Sequence, residues 1–124
     1  MTCLLLVEDD KDIARALKLR FAAHGFDVSV AYDAITAMTV ARQQKPDLVV
    51  MDISMPGGDG FVVAERLEAA FGNIPTIFIT ANSHPALHEK AIARGASGFF
   101  QKPLDTQRLI EAAEALSSEL EHSA

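Results

Sequence analysis

The chain has 124 residues, of which 49% are hydrophobic and 23% charged, and its formal net charge is −6 at pH 7. That length suffices for one domain, and the acidic balance argues against a broad surface for nucleic acids or anionic membranes, which need clustered Lys and Arg. No apolar run is long enough to span a membrane, and the single Cys3 excludes an internal disulfide and fits a reducing compartment. We therefore expect one cytoplasmic domain over residues 1–124, without a second domain, direct nucleic-acid binding or membrane association.

Apolar runs typical of buried strands alternate with segments of helical periodicity along the first half of the chain. The first strand is predicted over residues 4–7, and residues 10–24 repeat apolar side chains every fourth position, as a helix with one buried face does. Alternating side chains predict a second strand over residues 26–32, with one face less buried. Asp33 is a suitable N-cap for a second helix. Its apolar face is predicted to carry Ile35, Met38 and Ala41.

The second half continues the same alternation. Further strands are predicted over residues 48–52, 76–80 and 97–101. Further helices are predicted over residues 61–71, over residues 85–94 and after the capping residue Asp105. Turn residues predict a loop over residues 55–60, and four phenylalanines are assigned to the core: Phe61, Phe71, Phe78 and Phe100. Five strands that alternate with helices imply a parallel sheet covered by helices on both faces.

Polar residues end four of the five predicted strands: Glu8-Asp9, Asp52, Thr80 and Lys102. The carboxyl ends of parallel strands lie at one edge of the sheet, and ligands of such folds bind just beyond that edge. We therefore expect three carboxylates, a hydroxyl and an ammonium group to meet in one pocket. Such a set suits a divalent cation together with a phosphoryl group.

Mg²⁺ is the cation that this set predicts. Carboxylates packed together raise one another's pKa unless a cation is present, and Mg²⁺ prefers oxygen ligands from carboxylates, water and phosphate. Asp52 is the candidate nucleophile, because a carboxylate can attack phosphorus to form an acyl phosphate. Lys102 would neutralise the transferred group, and the hydroxyl of Thr80 would donate to a phosphate oxygen.

Each of these residues also has a structural explanation. An acid at position 9, 10 or 12 can cap the first helix or favour its first turn. Asp52 can be a turn residue, Thr80 an ordinary strand residue and Lys102 a solvated cation. Complementary phosphoryl chemistry at four separate strand ends nevertheless favours function. His84 and His88 have the spacing of a helical metal site, but no third ligand is evident, so this site is disfavoured.

The chain resembles the response-regulator receiver family of two-component signalling. The residues that carry the resemblance are Val7-Glu8-Asp9-Asp10, Met51-Asp52-Ile53-Ser54-Met55-Pro56, Ile79-Thr80-Ala81, Gly95-Ala96 and Lys102-Pro103, and it extends over about residues 4–116. The resemblance implies a flavodoxin-like α/β fold. Such a fold is a single, doubly wound, five-stranded parallel sheet with strand order 2-1-3-4-5 and five helices.

The resemblance also implies roles for individual residues. Asp52 would be the phosphoacceptor, Asp9 would contact Mg²⁺ directly, Glu8 would contact it through water, and the backbone carbonyl of Ser54 would complete the protein's metal ligands. Thr80 and Lys102 match the switch hydroxyl and the phosphate-binding lysine.

Two further features follow from the same resemblance. Phe99 matches the aromatic residue whose side chain moves inward when the hydroxyl moves toward phosphate. The peptide bond between Lys102 and Pro103 is expected to be cis, an isomer that only X-Pro bonds adopt at low cost.

The function implied is a phosphorylation-dependent switch that receives its phosphoryl group from a histidine kinase or phosphotransfer protein and regulates a target protein or output domain. Its only catalysis would be autophosphorylation and autodephosphorylation. One alternative is a phosphate-independent interaction module, although such proteins usually lack one of the five key residues. Another is an aspartyl-phosphate phosphohydrolase, which usually has a second aspartate where this chain has Ser54. Ser97-Gly98 replaces the acidic residues of a familiar dimer interface, so the oligomeric state stays open.

Overall fold

Strands and helices alternate along the chain in the computed structural model, which describes residues 1–55 and 58–122. The strands are β1 (Cys3–Val7), β2 (Asp27–Ala31), β3 (Leu48–Asp52), β4 (Ser54–Met55), β5 (Gly58–Asp59), β6 (Thr76–Thr80) and β7 (Gly98–Gln101). The helices are α1 (Lys11–Ala23), α2 (Ala34–Gln44), α3 (Gly60–Phe71), α4 (Pro85–Ala93) and α5 (Thr106–His122). None of the helices in this described part is long and apolar enough to cross a membrane.

The main sheet of the described chain has five parallel strands in the order β2-β1-β3-β6-β7. Because β6 and β7 are the fourth and fifth predicted strands, the predicted fold class and strand order are confirmed. The central strands β1 and β3 are almost uninterrupted apolar runs, as burial of both faces of a parallel sheet requires. All five residues of β3 are buried, including its last residue, Asp52.

Two apolar layers cover the sheet, one on each face. Alternate strand residues point to opposite faces, so Leu5 and Val7 pack in one layer and Leu4 and Leu6 in the other. The first layer is closed by α2, α3 and α4 through Ala37, Ala41, Phe61, Val63, Leu67 and Ala91. The second is closed by α1 and α5 through Ala14, Leu17, Phe21, Leu109, Ile110 and Ala113. The helices therefore wind on both sides and leave the carboxyl edge of the sheet to loops.

Side-chain caps fix where several helices begin. Asp10 is the N-cap of α1 rather than its first residue, and its Oδ1 accepts hydrogen bonds from two backbone N–H groups. Asp33 caps α2 as predicted, and Asp59 caps α3 by accepting from the N–H of Phe61 at 2.7 Å. Asp105 accepts from the N–H of Arg108 at 3.2 Å, at the start of α5.

The structure corrects the predicted loop over residues 55–60. Ser54–Met55 and Gly58–Asp59 pair as a short antiparallel ladder, while Pro56 and Gly57 lie outside the described residues. The turn residues predicted a loop, whereas the described residues on either side of positions 56–57 pair as antiparallel strands.

Two expectations about apolar side chains are also corrected, one on the predicted apolar face of α2 and one in the predicted core. Ile35 is 83% exposed because the small residues Ala37 and Ala41 supply the buried face of α2. Phe71 is 37% exposed because it is the last residue of α3, where the helix leaves the core. Helical periodicity predicted an apolar face for each helix, but the first residue of that face in α2 and the last in α3 are exposed to solvent.

Candidate functional site

Three carboxylates meet at the carboxyl edge of the sheet. Glu8 directly follows β1, and its N–H continues the strand pairing by donating to the carbonyl of Ala31 at 3.0 Å. Asp52 ends the neighbouring strand β3, and Asp9 begins the turn into α1. One oxygen of each of the three side chains lies within 4.8 Å of the other two. Glu8 and Asp52 are buried, whereas Asp9 is half-buried.

Lys102 brings a positive charge to these acids from the end of β7. Its Nζ lies 2.5 Å from Oε1 of Glu8 and 3.2 Å from Oδ2 of Asp52. Its backbone N–H donates to the carbonyl of Thr80 at 2.7 Å, which fixes the chain beside the end of β6. The following peptide bond to Pro103 is cis. One ammonium group thus faces two buried carboxylates.

Burial raises the pKa of Glu8 to about 8, and the nearby Asp52 carboxylate acts in the same direction. Contact with the Lys102 ammonium and the N–H of Asp10 opposes this rise only in part. For Lys102 itself, burial lowers the pKa, but the contacts with Glu8 and Asp52 outweigh burial and the net pKa lies above its usual value. The acids are therefore incompletely neutralised by the protein.

The site fits a divalent cation. Oε1 of Glu8 is buried beside the Lys102 ammonium, and no further hydrogen-bond donor reaches it among the described residues. Oxygen atoms alone form the candidate ligand set, as Mg²⁺ prefers. Glu8, Asp9 and Asp52 are the residues that would hold the ion. A bound cation would supply the positive charge that Lys102 alone does not.

Backbone contacts orient the carboxylate of Asp52. Its Oδ1 accepts from the N–H of Ser54 at 3.0 Å, while Oδ2 lies beside Lys102. The contact with Ser54 is through its N–H, so the metal role of the Ser54 carbonyl stays a prediction. Both oxygens of the Asp52 carboxylate therefore have a partner that fixes its orientation.

The hydroxyl of Thr80 is the first member of a hydrogen-bond series that leads to α4. Thr80 is fully buried at the end of β6, and its Oγ1 accepts from the N–H of Asn82 at 3.0 Å. Oδ1 of Asn82 accepts from the N–H of His84 at 2.9 Å, and Nδ1 of His84 accepts from the N–H of Ala86 at 3.1 Å. Thr80 still has its hydroxyl proton to donate, and its switch role stays a prediction.

Phe99 lies half-buried on β7, on the face of the sheet covered by α2, α3 and α4. Its ring stacks on that of His88 from α4, with centroids 4.7 Å apart and planes at 12°. His84 and His88 thus both have structural contacts, one as a helix cap and the other as a ring partner. These contacts give no support to the disfavoured histidine metal site.

Gly60 is a residue of the site that the sequence did not reveal. It begins α3 directly beneath Asp52, and its N–H donates to the carbonyl of Ile53 at 2.9 Å. A Cβ at this position would meet the backbone oxygen of Asp52 at 2.3 Å and Cα of Ile53 at 2.8 Å. Only glycine therefore lets α3 approach the end of β3 this closely. A glycine after a helix-capping aspartate was the available signal.

Comparison with known proteins identifies relatives across nearly the whole chain. The family model described as the response regulator receiver domain matches residues 4–114. The response regulator PleD of Caulobacter vibrioides is 33% identical over 116 residues, which cover 92% of this chain and 26% of PleD. The transcriptional regulatory protein TctD of Salmonella typhimurium is 33% identical over 106 residues, which cover 86% of this chain and 47% of TctD. The chain thus spans less than half the length of these two curated relatives.

A solved structure is similar in fold over both chains. The receiver domain of the Francisella response regulator 1452 matches with a TM-score of 0.88 and 27% sequence identity. The match covers 97% of this chain and 99% of that one. The sheet order and the positions of the helices are therefore those of a receiver domain.

Proposed function

The chain belongs to the response-regulator receiver family, and from that membership we propose that it is a phosphorylation-controlled signalling switch with Asp52 as its phosphoacceptor. The observation that carries the proposal is the meeting of Glu8, Asp9, Asp52 and Lys102 at one edge of the sheet. A phosphohistidine on a histidine kinase or phosphotransfer protein would be the donor. We place this reaction in the cytoplasm, where the free thiol of Cys3 would stay reduced.

The reaction is transfer of a phosphoryl group from nitrogen to oxygen. A carboxylate oxygen of Asp52 attacks phosphorus in line with the leaving imidazole, so that an O–P bond forms while the N–P bond of the donor breaks. When bound by Glu8, Asp9 and Asp52, Mg²⁺ supplies charge neutralisation for the phosphoryl oxygens. Lys102 neutralises part of the same negative charge, because its ammonium already lies against Asp52.

Phosphorylation then changes the balance between two conformations. The phosphoryl oxygens attract the hydroxyl proton of Thr80, so its Oγ1 leaves the N–H of Asn82 and Phe99 moves into the vacated space. The surface formed by α4, β7 and α5 changes with these side chains and binds a target protein or an output domain. The chain acts as a phosphoacceptor, and its own chemistry is limited to gaining and losing this group.

The proposal is tested by treating the protein with acetyl phosphate, with and without Mg²⁺, and measuring intact mass. We expect one phosphoryl adduct that requires Mg²⁺ and is absent in Asp52→Asn. Asp59→Asn is the matched control, because it makes the same change at an exposed acid that caps α3. An unmodified wild-type protein, or an adduct that persists in Asp52→Asn, would contradict the proposal.

The same samples test the two alternative functions. A phosphate-independent interaction module would acquire no adduct under any condition. An aspartyl-phosphate phosphohydrolase would turn over p-nitrophenyl phosphate in a manner that depends on Asp52. We expect no such turnover, because Ser54 stands where those enzymes usually have a second acid.

A further inference from the structure

The ring of His88 on α4 stacks on that of Phe99, and the proposed reaction gives His88 no role. The two rings are nearly parallel, with planes at 12° and centroids 4.7 Å apart. The side chain of His88 is exposed, whereas Phe99 is half-buried against the apolar layer beneath α4. Contact between two aromatic rings stabilises more than the burial of their apolar surface alone would. The stack therefore stabilises the position of Phe99 seen in this structure.

Movement of Phe99 would break this contact. His88 is fixed to α4, whereas Phe99 belongs to the sheet, so an inward swing of Phe99 separates the rings unless α4 follows. Any attraction that exists in one conformation alone shifts the equilibrium toward that conformation. The energy of the stack is therefore part of what phosphorylation must overcome.

We propose that His88 is a positioning residue whose ring holds Phe99 in its half-buried position and so opposes the switch until Asp52 is phosphorylated. This inference rests on the proposed function, because it assumes that Phe99 moves on phosphorylation. By this inference, His88 sets what fraction of the unphosphorylated protein adopts the switched conformation.

None of the ion pairs in the described part of the chain includes His88. The facing strand β7 has the sequence Gly-Phe-Phe-Gln, which carries no ionisable side chain. An imidazolium over a phenyl ring adds a cation–π attraction to the stack. Acid therefore strengthens the hold on Phe99.

Other charged groups near α4 already have partners. On α4 itself, Lys90 lies with its Nζ 4.9 Å from the centroid of the Phe61 ring. Arg94 pairs with Glu65 of α3, and beyond the end of β7 Lys102 pairs with Glu8 and Asp52. Glu89 is the neighbouring acid on α4, and Nδ1 of His84 accepts the capping hydrogen bond from the N–H of Ala86. A pH response must therefore be assigned by substitution at His88.

The test follows the ring of Phe99 by ¹⁹F NMR of protein labelled with 4-fluorophenylalanine. Phe99→Leu identifies its resonance among those of the seven phenylalanines, and acetyl phosphate with Mg²⁺ gives the shift of the switched form. We expect His88→Ala to move the unphosphorylated equilibrium about two- to tenfold toward that shift. His88→Tyr restores an aromatic ring without a fluorine label, and we expect it to remain within about twofold of the wild type.

A pH series separates the stack from a general effect on folding. Histidine changes charge between pH 5 and 8, so acidification of the wild type should lower the switched population about two- to fivefold. His88→Ala and His88→Tyr should lose this response. His84→Asn, which keeps an acceptor for the helix cap, should retain it.

The possible outcomes separate this inference from the proposed function. If no adduct forms in the wild type, both proposals are overturned. If the adduct forms but Phe99 does not move, Asp52 remains the phosphoacceptor, while the switch movement and the inference on His88 are overturned. If the adduct forms and Phe99 moves, but His88→Ala matches the wild type, only the inference on His88 is overturned. An identical pH response in wild type and His88→Tyr would likewise overturn it.

Discussion

Lys102 is the residue on which the electrostatics of the acid site depend. Its ammonium is largely covered and contacts two carboxylates that are almost completely buried. Burial of two carboxyl groups beside a single cation favours the protonated form of Glu8, whose pKa is raised to about 8. Folding thus stabilises a site in which a proton or a metal ion can complete the charge balance.

Replacement of Lys102 by methionine should destabilise the metal-free protein at pH 7 by about 1–3 kcal/mol, because it removes the cation from a buried pair. Proton uptake by Glu8 keeps the expected loss at the lower end. The pKa of Lys102 is raised in the folded protein, so its ion pairs contribute stability at neutral pH and lose it only as the pH rises through that raised value. Urea unfolding at pH 7 measures the change.

The matched control is Lys18→Met, which changes an exposed lysine on α1 that enters none of the ion pairs of the described residues. It should stay within about 0.5 kcal/mol of the wild type. Equal losses in both variants would show that the contacts of Lys102 with Glu8 and Asp52 contribute no stability.

At the scale of elements, single side chains decide where helices begin. Asp33 accepts a hydrogen bond from the N–H of Thr36 at 2.7 Å, and this contact lowers the pKa of its carboxyl group. Because this pKa is lowered, the charged cap stabilises the folded state at pH values above the ordinary pKa of aspartate. That contribution disappears as the pH falls through the lowered value.

Asp33→Asn tests this pH dependence, because asparagine keeps the capping oxygen but cannot ionise. We expect the wild type to have the higher urea midpoint at pH 6. The difference should shrink as the pH is lowered from 4.5 to 2.5. Asp12→Asn serves for comparison, since Asp12 lies in the first turn of α1 and donates its N–H to a cap instead of acting as one. A difference at Asp33 that does not change with pH would contradict the expected loss of the charged cap.

The junction between β3 and α3 depends on the absence of a side chain at Gly60. A methyl group there would press on the backbone of Asp52 and Ile53, which cannot rotate away. We expect Gly60→Ala to lower the free energy of unfolding by about 1–3 kcal/mol. It should also slow formation of the acetyl-phosphate adduct, because Asp52 is displaced. Urea unfolding and intact mass against time measure the two effects.

Gly98→Ala is the control for this junction. Its added Cβ would meet side-chain atoms of Ile77 at 3.3 Å and 3.4 Å, which can adjust. We expect normal adduct formation and a smaller change in stability for Gly98→Ala. If Gly60→Ala modifies as fast and unfolds at the same urea concentration as the wild type, the close approach of α3 to Asp52 is not required.

The whole molecule determines how the acids come together, since Glu8 and Asp9 follow β1 and Asp52 ends β3. A cation that binds all three joins two strand ends and stabilises only the folded state. We therefore expect Mg²⁺ to stabilise the wild type by roughly 1.4 kcal/mol at ten times its dissociation constant. Asp9→Asn should lose most of this effect. Thermal unfolding with and without MgCl₂ measures it.

Asp12→Asn is again the appropriate control, because it removes one negative charge near the site without touching the acid cluster. It should keep the full response to Mg²⁺. An equal stabilisation of the wild type and of Asp9→Asn would mean that the ion acts elsewhere or through general screening.

The amino-acid sequence alone determined the order of the elements, the class of fold and the residues at the strand ends. Apolar runs, helical periodicity and capping aspartates are local signals, and the parallel sheet follows from their alternation. The same signals failed where burial depends on neighbours, as at the exposed Ile35 and Phe71.

Only the tertiary structure decided which of those residues touch and in what electrostatic state. Lys102 lies 2.5 Å from Glu8, which is distant in the chain, and the ring of His88 stacks on Phe99 only through packing. The raised pKa of Glu8 follows from the burial that folding imposes. The need for glycine at position 60 arises from the backbone of another element. The distances between these residues depend on how whole helices pack against the sheet, and no local sequence pattern predicts them.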